Sequence, residues 1–499
     1  MSTHSKANNE KQQQSRKTDK NRSVVENFLS KWGIPIAIIV LIALFFMPTP
    51  DGLSIEGKKA LAIFMFALIM WVANAIPIYL TSILAIMLLT FSNAFPEKEA
   101  MGTLGYPVIW LMVSAFVLTS AMMKSNLAKR FALWMITSFG KTPKMTLFIL
   151  VIINFAVAFL IPSTTARATL LVPICLILLE VYKAVPGKSN LGKLMMLQGV
   201  QSDALATSGI MTATAGNVIA VGLINESAGG NIGYMDWLAA SMPLAMITMG
   251  ITFFVGLKLF SFKTEEAQFS SVMGQLKEEK NKLGNWSLNE KKAALIFLLA
   301  VVLWFTEKWH MQMFGFEISV YMVAVIAAVL ILLPKVGILE WSEANIKWDL
   351  MLFAAGAYAV GTAVEKTGAA EWVIGNLIGS LGLENMNHYW VYGIVIFLTM
   401  FSHLIFTSKT VRVMIIVPAV IALANTLGMN PVTLALAASL TITYTITLPP
   451  HSKVNAIYFS TGYFSVLDQL KYGLITCAIG ASVITLGVFT WFRVLGYTP

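Results

Sequence analysis

Pro162-Ser163-Thr164-Thr165-Ala166-Arg167 interrupts one long apolar stretch of the chain, and Thr407-Ser408-Lys409-Thr410-Val411-Arg412 interrupts another. After each arginine an apolar run leads at the same distance to a proline, Val172-Pro173 in the first copy and Val417-Pro418 in the second. Both copies put hydroxyl side chains and a permanent positive charge inside segments otherwise suited to lipid, where charge is costly and marks a functional path. A helix that stops and restarts there exposes unpaired amides and the positive end of its dipole. A Ser or Thr at the restart caps the helix or offers its hydroxyl to a ligand. Duplicated breaks of this kind mark the ligand site of secondary transporters built from two internal repeats. Two such tips facing each other suit a small anion with a carboxylate at each end.

The 499 residues are 57% hydrophobic and only 12% charged, against about 25% charged in a soluble domain. That is the composition of a polytopic membrane protein embedded in a lipid bilayer. The net charge of +10 comes without a basic stripe interleaved with aromatics and without a nucleic-acid module, so no nucleic-acid partner is expected. Lys and Arg instead gather in the ends and loops of one side, the bias that sets membrane orientation. Residues 1–31 hold Lys6, Lys11, Arg16, Lys17, Lys20, Arg22 and Lys31 amid Gln, Asn and Ser, and read as a disordered basic cytoplasmic head. Cys175 and Cys477 lie in apolar segments and read as packing residues. No metal-ligand cluster, phosphate loop or catalytic set emerges, so neither an enzyme, a bound metal nor a cofactor is expected.

The rest of the chain implies an all-α polytopic membrane protein of two inverted repeats, with about eleven transmembrane helices and two re-entrant hairpins. The first repeat covers 32–262, with its hairpin at about 143–182; a polar cytoplasmic linker follows at 263–292; the second repeat covers 293–499, with its hairpin at about 388–427. Further broken spans lie at 195–222 and 431–460. Lys124-Ser125-Asn126-Leu127-Ala128 is answered by Lys366-Thr367-Gly368-Ala369-Ala370. Each opens a short amphipathic stretch, 127–139 and 369–381, of the kind that lies in the membrane interface. With a cytoplasmic N-terminus, the two hairpins enter from opposite faces. Gly356 and Gly361 read as sites of close helix packing, His403 as a packing histidine, and Asp203 and Glu180 as helix-end residues facing the cytoplasm.

These residues resemble the divalent anion:sodium symporter family, carriers of dicarboxylates, citrate and related anions, from about residue 32 to the end. The likeness rests on the paired tips, the proline after each arginine, and the breaks at Asn217 and Asn455. It implies a homodimer with a scaffold domain and a transport domain that moves as an elevator. It also implies that Ser163, Thr165, Ser408 and Thr410 contact substrate carboxylates; Thr164 and Lys409, in the same tips, are expected to bind substrate with them. In the sodium-coupled members the middle residue of each tip is an Asn that helps hold sodium; here it is Thr164 and Lys409. The family's Pro-Pro-Asn element becomes Pro449-Pro450-His451-Ser452-Lys453-Val454-Asn455, and the first-half counterpart, Thr212-Ala213-Thr214-Ala215-Gly216-Asn217, lacks the prolines. The chain therefore resembles the exchanger branch, which includes plastid 2-oxoglutarate/malate translocators and bacterial dicarboxylate antiporters. The function this implies is sodium-independent exchange of C4/C5 dicarboxylates such as 2-oxoglutarate, malate, succinate and fumarate, with fixed basic residues replacing sodium. The alternative is a sodium- or proton-coupled di/tricarboxylate symporter. Arg167, Arg412, Thr212, Thr214, Asn217, His451, Ser452, Lys453 and Asn455 are the candidates for charge compensation or site lining. A multi-pass protein of a bacterial plasma membrane is expected.

Overall fold

The computed structural model describes residues 24–73, 75–262, 266–381, 386–404 and 408–498. Most of the basic head and Thr407 of the second tip thus lie outside the described residues. A helix, Val24–Phe46, begins within the stretch read as head, so 24–31 are helical. Among the described residues the chain forms helices joined by turns, with no β-strand. A chain surrounded by lipid must satisfy its backbone groups internally, and helices do so within each segment. By length and composition, Glu97–Ser125, Pro143–Leu160, Tyr234–Leu259, Lys409–Thr426 and Val466–Val494 suffice to cross a bilayer. Phe91, Phe254, Leu295, Leu398 and Leu486 turn outward and are exposed, as lipid contact requires.

The chain divides into two compact units. The first holds the residues up to Leu104 together with Leu352–Trp372. Its helices meet closely: a Cβ added at Gly356 would stand 2.4 Å from the Ser82 Cβ. At the same place the Ser82 hydroxyl donates to the Phe353 carbonyl at 3.1 Å, and Thr103 donates to the Ala355 carbonyl at 2.9 Å. Gly361 corrects the expectation, since a Cβ there would meet no heavy atom of the described residues within 4 Å.

The second unit, Gly105–Met351 with Val373–Pro499, carries both hairpins. In the first half α1 (Pro143–Leu160) and α2 (Thr164–Val181) flank the tip, and α3 (Asn190–Gly209) and α4 (Ala215–Ser227) form the broken span. In the second half α5 (His388–Phe401) and α6 (Lys409–Thr426) are followed by α7 (Pro431–Thr441) and α8 (Lys453–Phe459) in the same succession. The amphipathic stretches are helices with the expected limits, Leu127–Phe139 and Ala369–Leu381. Each is entered through a left-handed residue, Asn126 at φ 59° and Gly368 at φ 71°, residue types that tolerate that conformation.

The linker holds a helix, Glu266–Lys282, and its end is clamped by Arg130. That guanidinium bonds the Glu290 carboxylate at 2.6 and 3.1 Å and the carbonyls of Gly284 and Leu283 at 2.9 and 3.0 Å. Burial pushes the Glu290 carboxyl up, but bonds from Arg130 and the Ser287 amide outweigh it and hold the carboxyl below the usual range.

Candidate functional site

The two tips share one local design. Ser163 caps α2 by accepting from the Ala166 amide at 3.3 Å, and Ser408 caps α6 by accepting from the Val411 amide at the same distance. Thr164 and Thr165, like Lys409 and Thr410, are therefore first-turn residues, whose amides have no intrahelical acceptor. The broken spans match as well. Between α3 and α4 the chain makes a short turn, Met211–Ala213, and between α7 and α8 another, Pro449–His451. Asn217 donates to the carbonyls of Thr207 and Ile210 at 2.6 and 3.0 Å. Asn455 donates to those of Thr445 and Leu448, both at 2.7 Å. Each asparagine thus reaches the carbonyls ten and seven residues upstream, which the break leaves without helical donors.

Tips and breaks line an open cavity of about 340 Å³. From the first half it is lined by Ser163, Thr164, Thr165, Thr212 and Thr214, and from the second by Ser408, Lys409, Thr410, His451, Ser452 and Lys453. Asn217 and Asn455 are buried and brace the breaks from behind. Sequence reading missed Lys347 and the apolar wall of Met112, Ala115 and Phe116. The wall is indistinguishable in sequence from any other part of an apolar helix. Lys347 had no signal either, because the register that pairs Lys124 with Lys366 places Gly105 at the corresponding position. The lining thus holds three lysines and no acidic side chain. Serine and threonine hydroxyls and helix N-termini add further donors, an arrangement suited to anions.

Behind the cavity the repeated arginines differ. Both are fully buried. Arg167 pairs with Asp203, its Nε 3.0 Å from Oδ1, and donates to the carbonyls of Ile161 and Ala213 at 2.9 and 3.3 Å and to the Thr207 hydroxyl. Asp203 therefore lies inside α3 as an internal counter-charge, which corrects the helix-end expectation. Glu180, near the end of α2, is exposed. Arg412 has only neutral acceptors among the described residues: Ser402 Oγ at 2.9 Å and the carbonyls of Ile442 and Thr399 at 2.8 and 2.7 Å. Neither arginine is in the cavity lining.

A polar chain runs into the cavity wall through two histidines. His403 is fully buried, with Nδ1 2.7 Å from the Met400 carbonyl and Nε2 2.8 Å from Thr447 Oγ1. The same hydroxyl lies 3.0 Å from His451 Nδ1. His403 is a hydrogen-bonded packing residue, as expected, and it positions His451.

An all-helical chain with an apolar exterior and a cationic, hydroxyl-lined cavity where two helix pairs break is a multi-pass membrane protein with an internal polar site. It belongs to the family described as the sodium:sulfate symporter transmembrane region, which matches residues 29–498; this is a family of transporters, not enzymes. The chain is 25% identical over 486 residues to a "Membrane protein" of Cupriavidus necator, covering 93% of each. It is 24% identical over 470 residues to "Dicarboxylate transporter 1, chloroplastic" of Spinacia oleracea, covering 92% of this chain and 80% of that one. It is 25% identical over 473 residues to "Sodium-dependent dicarboxylate transporter SdcS" of Staphylococcus saprophyticus, covering 91% and 89%. Among solved structures, the Alcanivorax borkumensis YdaH transporter matches with a TM-score of 0.56 over 95% of this chain and 98% of that one. At 11% identity that likeness concerns the fold alone.

Proposed function

We propose that this protein carries C4/C5 dicarboxylates such as 2-oxoglutarate, malate, succinate and fumarate across the membrane by sodium-independent exchange. The observation that carries the proposal is the cavity at the two tips, with three lysines and no acid in its lining. The dicarboxylate transporters of spinach and Staphylococcus support the substrate class. In the proposed site Ser163, Thr164 and Thr165 hold one carboxylate, and Ser408, Lys409 and Thr410 hold the other. Asp203 already neutralises Arg167, so the fixed charges left for a dianion are Arg412 behind the site and the lysines within it.

Exchange follows from that charge. Moving an empty, cationic site past a low-dielectric scaffold is opposed by desolvation of several kcal/mol per buried ion. A bound dianion offsets part of that charge and lowers the cost, so the loaded carrier crosses in preference to the empty one. A sodium symporter instead brings its cations with the substrate and releases them. The sodium-dependent staphylococcal relatives favour a second reading, a sodium- or proton-coupled di/tricarboxylate symporter. Against it, Thr164 and Lys409 stand where the resemblance puts sodium-holding asparagines. The proposal extends to an elevator motion of the tip-bearing part of two inverted repeats, at 32–262 and 293–499 about a cytoplasmic 263–292 linker. It includes a homodimer in a bacterial plasma membrane with a cytoplasmic N-terminus.

The test is uptake of labelled 2-oxoglutarate into proteoliposomes, with or without internal dicarboxylate, in sodium and in choline. Uptake that requires internal dicarboxylate and ignores sodium is the expected result. Sodium-driven uptake into empty vesicles would establish the symporter instead.

A further inference from the structure

We infer that His451 presents a hydrogen-bond acceptor to the cavity and selects 2-hydroxydicarboxylates over dicarboxylates that lack the hydroxyl. This rests on the proposed carriage of dicarboxylates and adds a specificity-determining residue to it.

Proton bookkeeping along the polar chain leads there. The Met400 carbonyl can only accept, so His403 Nδ1 carries a hydrogen. His403 is fully buried, and no salt bridge to it occurs among the described residues. Arg412 bonds the hydroxyl of Ser402, the residue just before it. Surroundings without a counter-charge support the neutral ring, whose Nε2 is then an acceptor. The Thr447 hydroxyl spends its single hydrogen on that nitrogen and can only accept from His451. His451 Nδ1 is accordingly the donor, and Nε2 keeps its lone pair. Nε2 has no hydrogen-bond partner among the described residues, and His451 is one of the residues that line the cavity.

This nitrogen is the odd member of the lining. Lysine ammonium groups only donate, and the serine and threonine hydroxyls of the lining can turn a hydrogen toward a carboxylate, whereas this nitrogen can accept but not donate. An acceptor facing a carboxylate oxygen repels it, whereas facing a substrate hydroxyl it is satisfied. A site with a polar group committed to a substrate hydroxyl discriminates against the analogue that leaves that group unpaired. Because the acceptor is fixed by Thr447 and His403, it also distinguishes the two enantiomers of a 2-hydroxy acid.

The experiment compares malate and succinate as substrates of the reconstituted protein, as the ratio of their kcat/KM values, for the parent, His451→Phe and Thr447→Val. The parent is expected to favour one malate enantiomer over succinate by about tenfold, the worth of one neutral hydrogen bond. In His451→Phe, which keeps a flat ring but no acceptor, the ratio falls toward one. In Thr447→Val the ring remains but its tautomer is released; the ratio falls there too, through the KM for malate. Equal use of malate and succinate by the parent overturns the assignment, as does an unchanged ratio in Thr447→Val. Transport of neither acid would remove the dicarboxylate reading itself, a failure distinct from equal transport of both.

Discussion

Arg167→Ala is expected to destabilise the protein by about 3–5 kcal/mol, the range for breaking a buried ion pair from one side. The change leaves the Asp203 carboxylate buried, at 2% side-chain exposure, without its cation. It also removes the bonds that tie the Ile161 carbonyl, just ahead of the first tip, to the Ala213 carbonyl at the break. Asp203→Asn is expected to do less harm, because the guanidinium keeps those carbonyls and Thr207. The second half supplies the precedent: Arg412 is held by neutral acceptors alone among the described residues. Removing both members, Arg167→Leu with Asp203→Leu, should cost less than the sum of the single changes, since no charge is then left unpaired. Unfolding of the detergent-solubilised variants, followed by heat or denaturant, measures all of these. Arg167→Ala unfolding with its parent, or the double change adding up fully, would contradict the arrangement.

Lys409→Asn should produce the largest functional change. Lys409 is the one cation within the tips themselves, and removing a charge partner from a desolvated ion pair weakens binding by about 2–5 kcal/mol. The KM for a dicarboxylate should therefore rise by at least tenfold. The same change lowers the charge that opposes return of the empty site, so uptake into vesicles without internal substrate should emerge. Counterflow and net uptake, measured on one preparation, separate the two effects. Strict exchange with an unaltered KM would remove Lys409 from both roles.

Much of the site was legible because a bilayer makes polar residues conspicuous. Ser163 and Ser408 could be read as caps since each precedes a helix-forming run and is repeated in the same setting. The limits of Leu127–Phe139 and Ala369–Leu381 were readable from Lys-Ser-Asn and Lys-Thr-Gly, whose third residues adopt the left-handed conformation. Other features depend on which way a side chain turns. Asn217 and Asn455 mark the breaks in sequence, but only the fold reveals that they turn away from the cavity to brace carbonyls. Asp203 follows Gln198, Gln201 and Ser202, a polar run that suits a helix end and equally an internal counter-charge. A pairing across 36 residues leaves no local pattern. Gly356 and Gly361 look alike as letters, and among the described residues only Gly356 faces a neighbouring helix. Lys347 comes from a loop with no repeated counterpart and was invisible for that reason.

The central claim is that a dicarboxylate bridges the two tips. Amide hydrogen exchange of the intact protein, with and without saturating succinate, tests it most directly at segments 163–168 and 408–413. The amides of Thr164, Thr165, Lys409 and Thr410 have no intrahelical acceptor, unlike the serine-capped amides of Ala166 and Val411, and exchange readily until a ligand covers them. Slower exchange at both segments together, at concentrations that also saturate transport, is the expected result. A succinate that is transported yet leaves both segments unchanged would contradict the claim and move the site elsewhere in the protein.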